Sequence, residues 1–208
     1  MRFMCSLVLF VVACGVAVAV PVSQREFDQV LKRTPEVSNG AKVYETCAAC
    51  HGPKGEGVSD GSVPALAGQS FNVLAKQIVD FRAGLRGDPR MTHFTGTRHL
   101  AYSQAIADVA AYIATLPAPK PQASSTPGPA ASIYARDCAR CHKAAGQGSE
   151  GTLTPRVASQ HAEYILRQLE DVAAGRRPEM AMSHAELVRV LTREELVALA
   201  AYIAALGG

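Results

Sequence analysis

One pentapeptide pattern occurs twice in this chain, as Cys47-Ala-Ala-Cys50-His51 and as Cys138-Ala-Arg-Cys141-His142, with 91 positions between equivalent residues (138 − 47). The same offset holds without a gap well beyond the motif. Gly57 answers to Gly148, Pro64 to Pro155, Gln69 to Gln160, Gln77 to Gln168, Arg86 to Arg177, Met91 to Met182 and His93 to His184. One position is lost further on, where Tyr112 answers to Tyr202. A chain that repeats itself in register folds as copies of one unit, and 208 residues leave room for two small domains. Their expected limits are residues 38–116 and 133–208. The segment between them, 117–132, reads PAPKPQASSTPGPAAS, a composition suited to a semi-flexible connector. A coil of that length spans roughly 22 Å, so the two units can dock on one another.

Each copy shows the same helical layout. A short helix near 39–48 or 131–139 leads into the cysteine motif. A Gly- and Pro-containing loop follows, then a middle helix near 70–83 or 161–174, a loop carrying a methionine, and a closing helix. The closing helix of the second copy is the clearest. Thr192 and Glu195 have the spacing of a capping box, and Leu196, Leu199, Ala200, Ile203 and Leu206 recur at helical intervals. In the first copy Ile106, Val109, Ala110, Ile113 and Leu116 do the same, and Pro117 ends the run. No alternating strand pattern competes, so the expected fold is all-α. Only 6% of residues are aromatic and none is Trp. Cores of that kind are modest and often need a bound group to stabilise them.

C-x-x-C-H is the attachment signal for c-type haem. The two thiols, Cys47 with Cys50 and Cys138 with Cys141, would form thioethers to the porphyrin. The adjacent His51 or His142 would lie under the ring, placed to ligate iron. A thioredoxin-like redox pair would need a βαβ setting that is missing here. A shared zinc site would need pairs much closer in sequence and no trailing His. Two covalently bound haem c groups are therefore expected.

With these motifs in hand, each copy resembles a class I cytochrome c: GAKVYETCAACHGPKGEG, then VPALAGQ, a methionine loop, and DVAAYIATL. The duplicated whole is similar to the di-haem cytochromes c4, over residues 38 to the end. The resemblance implies His/Met axial ligation of each iron. Met91 is the only methionine of the first copy, and its partner in register is Met182, not Met180. The expected iron ligands are thus His51 with Met91 and His142 with Met182. Pro64 and Pro155 match the family's proline whose carbonyl accepts the axial imidazole N–H, and Tyr44 with Tyr112, and Tyr134 with Tyr202, are expected to pack the first helix on the last. Arg86 and Arg177 stay open between haem-propionate partners and solvated side chains. His93 and His184 offer a bis-His alternative, which both family and register disfavour; His99 and His161 have no equivalents and no assigned role.

Irons closed on both faces exchange electrons and do not bind substrate, so an electron carrier is expected and not an enzyme. The resemblance implies a cytochrome bc complex as donor and a terminal haem-copper oxidase as acceptor. A haem subunit of a periplasmic dehydrogenase, such as a flavoprotein oxidising sulfide or an alcohol, is the alternative. A net charge of +3, nearly balanced in both halves, excludes nucleic acid as a partner. Residues 1–19 read as a secretory signal cut after Ala19, which places the mature protein in the periplasm. Two other readings stand beside it: a lipoprotein box ending at Cys14, and an uncleaved segment that would keep the protein at the membrane.

Overall fold

The structure, a computed structural model, describes residues 21–122 and 128–207; the expected leader lies outside them. Among the described residues the regular elements are helices. The first half contains α1 (Val22–Leu31), α2 (Val37–His51), α3 (Phe71–Arg82), α4 (Pro89–Thr95) and α5 (Ser103–Thr115). The second contains α6 (Pro129–Ile133), a π-turn (Tyr134–Cys138), α7 (Ala139–His142), a 3-10 turn (Glu150–Thr152), α8 (Ala162–Ala173), α9 (Met182–Arg189) and α10 (Arg193–Ala204). No described helix is long and apolar enough to cross a membrane.

In the first domain α2 crosses α5, and the closing helix supplies the largest share of the core. Ile106, Val109, Ala110 and Ile113 are buried against Tyr44, Leu74 and Val79. The crossing is close because position 40 is glycine: a Cβ there would stand 2.0 Å from the Asp108 carbonyl oxygen. Asp108 itself is buried and bonded three times, by the Glu36 N–H (2.8 Å), the Asn39 amide (2.6 Å) and the Gln104 amide (2.7 Å). Its carboxylate closes the start of α2, whose first N–H groups have no partner within the helix. The second domain repeats the arrangement with Leu196, Leu199, Ala200 and Ile203 of α10 packed on Tyr134, Ile165 and Leu166. Both halves of the expected capping box are present, Thr192 and Glu195 bonding reciprocally. The tyrosine pairs meet as expected, with ring centroids 5.2 Å apart for Tyr44–Tyr112 and 5.6 Å for Tyr134–Tyr202.

Three features differ from the sequence reading. Helix α1 precedes the first repeat and packs Phe27 and Val30, 4% and 0% exposed, into the first core. Its pattern has no counterpart in the second copy, so periodicity across the repeat does not reveal it. The expected connector is also more structured than its composition suggests. The Gln122 N–H bonds to Ala204 O, and α6 already begins at Pro129. The methionines, expected in loops, belong to short helices: Met91 lies within α4 and Met182 is the first residue of α9.

The domains dock through a reciprocal pair of glutamines. Gln69 bonds both backbone groups of Arg156, accepting its N–H at 2.9 Å and donating to its carbonyl at 3.1 Å. Gln160 does the same to Ala65, at 2.9 Å and 2.9 Å. Since 69 + 91 = 160 and 65 + 91 = 156, the clasp is a pseudo-two-fold exchange. His161 adds a bond across the interface: its Nε2–H donates to Glu56 O at 2.8 Å, and Nδ1 faces the Gln122 amide at 3.3 Å.

Candidate functional site

The cysteine motif closes α2 in the first domain and occupies the π-turn and α7 in the second. Immediately after the histidine of either motif the chain must turn sharply, and Gly52 (φ 78°) makes that turn in the first copy. In the second copy Lys143 adopts φ 68° without being glycine. Tyr44 Oη–H donates to Gly52 O and Tyr134 Oη–H to Lys143 O, both at 2.7 Å, so each buried tyrosine ties down the end of its motif. Burial pushes the Tyr134 hydroxyl up to about 12 and the Tyr44 hydroxyl higher still, so both remain donors.

The two imidazoles are held alike. His51 Nδ1 lies 2.9 Å from Pro64 O, and His142 Nδ1 lies 2.9 Å from Pro155 O. A carbonyl only accepts, so Nδ1 carries the proton and Nε2 presents its lone pair, the tautomer that a metal needs. Desolvation lowers the pKa of both rings, which favours the neutral form. The prolines reach this position because the loops fold back tightly. His51 O accepts the Gly57 N–H at 2.8 Å, and His142 O accepts that of Gly148 at 3.0 Å. Gly57 and Gly148 adopt φ of 69° and 71°, and a Cβ on either would stand 2.5 Å from the proline carbonyl carbon. Only glycine allows that approach without strain.

The cysteines are free thiols, with no disulfide between them. In each motif the first is half-buried and the second exposed. Burial raises Cys47 and Cys138 to about 11. Unbridged thiols three residues apart on a helical turn, beside an imidazole with a free Nε2, fit covalent haem attachment. They do not fit a structural disulfide.

Residues at the start of each methionine helix lie within electrostatic reach of the motif imidazole of their domain. The charges of Arg90 and Asp88, which flank the start of α4, act on His51, and the charge of His142 acts on His184 in the first turn of α9. Asp88 caps α4 by accepting the Arg90 N–H at 3.0 Å. The two copies then differ. Met91 is half-buried, but Met182 is 78% exposed, while Met180 packs against the second core. His93 is exposed, whereas His184 is half-buried with Nδ1 enclosed and unpartnered. The structure thus brings the α9 turn to His142 without turning the Met182 side chain inward.

Arg86 and Arg177 are not free surface side chains. Arg86 bonds Gln77, then reaches across the interface to Tyr164 and to Gln168 Oε1 at 2.7 Å. Arg177 bonds the same Gln168 oxygen at 3.3 Å and pairs with Glu179. Gln69, Gln160, His161, Tyr164 and Arg167 are among the interface residues with no role assigned from the sequence. The only signal available for the glutamines was their recurrence in register.

A family model described as cytochrome c matches residues 37–117 and again 129–207. The chain is 32% identical to cytochrome c4 of Azotobacter vinelandii over 174 residues, 76% of this chain and 82% of that protein. It is 30% identical to the thiosulfate dehydrogenase electron acceptor of Stutzerimonas stutzeri (strain A1501) over 203 residues, 86% and 91% of the two chains. Its fold is similar to the crystal structure of reduced recombinant cytochrome c4 from Pseudomonas stutzeri, with a TM-score of 0.74 at 25% identity, covering 84% of this chain and all of that one. Two tandem all-helical domains, each binding a covalently attached haem c at its C-x-x-C-H motif, account for the duplicated geometry. The chain belongs to the di-haem cytochrome c4 family of electron carriers.

Proposed function

We propose that the protein relays electrons between respiratory partners in the periplasm. His51 with Met91 and His142 with Met182 would ligate the two irons, and Cys47, Cys50, Cys138 and Cys141 would carry the thioether links. Haem iron supplies a one-electron couple, and two axial ligands of this kind keep it closed to substrate. The observation that carries the reading is the duplicated proximal bond, imidazole Nδ1–H to proline carbonyl at 2.9 Å in both copies, within domains clasped together. The same bond to the loop backbone fixes both imidazoles, so each would present Nε2 to a bound iron in a set orientation.

For partners we infer a quinol-oxidising cytochrome bc complex as donor and a terminal oxidase as acceptor. A second reading, the electron-accepting subunit of a periplasmic dehydrogenase, is favoured by the similarity to a thiosulfate dehydrogenase electron acceptor over 91% of that relative. In both readings the leader, residues 1–19, is removed on export. The test mixes oxidised protein, anaerobically, with a bc complex and quinol, and separately with a thiosulfate-oxidising dehydrogenase and thiosulfate, following haem reduction by stopped flow. Fast reduction of both haems by the bc complex, then reoxidation by a terminal oxidase, is the expected result. Reduction only by the dehydrogenase assigns the second reading, and rapid carbon monoxide binding by the reduced protein would refute closed irons altogether. A mass measurement of the exported protein locates its mature N-terminus.

A further inference from the structure

Arg82, the last residue of α3, gathers three acceptors from three parts of the first domain. It pairs with Glu26 of α1, its Nε–H donates to Thr95 O at 2.8 Å, and its far Nη–H donates to Leu100 O. Thr95 is 2% exposed, and its Oγ–H donates to Met91 O at 2.8 Å. A hydrogen-bonded run therefore connects α1, through Glu26, Arg82 and Thr95, to the backbone of Met91. Phe27 and Val30 anchor α1 in the same core.

None of this is repeated in the second domain. The position equivalent to Arg82 is Ala173 (82 + 91), and that equivalent to Thr95 is Glu186 (95 + 91). Helix α1 lies before the segment that matches the cytochrome c family model, residues 37–117. In the second copy α9 is tied back to α8 by an exposed side chain, Arg189, whose Nε–H donates to Ala173 O at 2.9 Å.

We propose that α1 is a brace for the methionine segment of the first haem site, with Glu26 and Arg82 as positioning residues. The inference rests on Met91 being the axial ligand of that site. A guanidinium that fills several acceptors at once while largely out of water holds them strongly, because moving the loop leaves a desolvated charge unpaired. Opening the α4 segment breaks these bonds. Among the described residues the α9 segment has no such link to a helix outside its own repeat, being held by the exposed Arg189 bond, the Arg177 contacts to Glu179 and Gln168, and Val188 in the second core. The first iron therefore keeps its sulfur when the second releases its own, and the two haems differ in lability although their proximal sides match.

The test titrates oxidised holoprotein with imidazole, an external ligand that binds only when the iron–sulfur bond opens. The far-red iron–thioether band and the methionine methyl resonances of each haem report which site is taken. Wild type should show two steps, the tighter at the second haem. Glu26→Ala, and separately Phe27→Ala, which loosens α1 without touching the charge, should strengthen the weaker step at least about tenfold, as expected for losing a hydrogen bond to a charged group. The tighter step should not move. A single uptake step in wild type, an unchanged weaker step in both variants, or an equal shift of both steps would overturn the brace. Met91→Ala separates the two ideas: if it removes neither the first haem's methionine resonance nor its share of the band, the ligand assignment fails, and the brace falls with it.

Discussion

Replacing Met182 by alanine is the sharpest perturbation of the proposed sites, because register and packing point to different sulfurs. Register assigns Met182; the structure packs Met180 against the second core and leaves Met182 78% exposed. That exposure makes the experiment clean. Truncating an exposed side chain changes stability by within about 0.5 kcal/mol, so a change in the haem spectrum of Met182→Ala cannot be blamed on a damaged core. Met180→Ala removes a half-buried side chain and should cost about 1–3 kcal/mol, below the range for full burial. In a domain of this size that lowers Tm by several degrees. The assay is the far-red iron–thioether band of the oxidised protein, with a redox titration of each haem. Met182→Ala should lose about half of the band, the other half belonging to Met91, and the potential of that haem should fall as His184 or water replaces the sulfur. Met180→Ala should keep the band and lower only the melting temperature. The reverse pattern, band lost with Met180→Ala and kept with Met182→Ala, would refute the register argument and make the packed sulfur the ligand.

The glutamine clasp should govern communication between the domains. Each glutamine contributes two hydrogen bonds worth about 1 kcal/mol apiece, so Gln69→Ala with Gln160→Ala should loosen docking and slow electron exchange between the haems. Small-angle scattering and pulse radiolysis measure the two effects, and unchanged values would refute the role. Gly57→Ala should cost roughly 1–3 kcal/mol in backbone strain, displace the Pro64 carbonyl from His51, and shift the potential of the first haem alone in a redox titration. Asp88 is held below the usual carboxylate range, first by its side-chain bond from Arg90. Its cap on α4 is therefore complete above about pH 4 and is lost as pH falls through the lower folded value, so acid should release Met91 along with it. Asp88→Asn should remove that acid step from the far-red band without abolishing the band at neutral pH.

Features that depend on spacing along the chain can be read before any fold is known. Two thiols three residues apart with an adjacent imidazole define a haem attachment site whatever surrounds them, and the 91-residue offset doubles it. The closing helices, the capping box and the tyrosine pairs were legible for the same reason: helical period and cap chemistry are local. The proximal proline bonds followed from the resemblance, and short glycine-bearing loops make them nearly local too. Features that require distant segments to meet become visible only in the folded chain. Gln69 and Gln160 look like ordinary recurring polar residues until a two-fold arrangement sets each against the other domain's backbone. Arg86, equally consistent with solvent, is claimed by the same interface, and Arg177 shares its Gln168 acceptor. Helix α1 has no repeat partner to announce it, and Glu26 meets Arg82 only because Phe27 and Val30 are driven into the core between α3 and α5. The choice of which methionine faces inward is likewise made by how α9 packs on α8, since burial is a property of the assembled domain and not of any residue's place in the repeat.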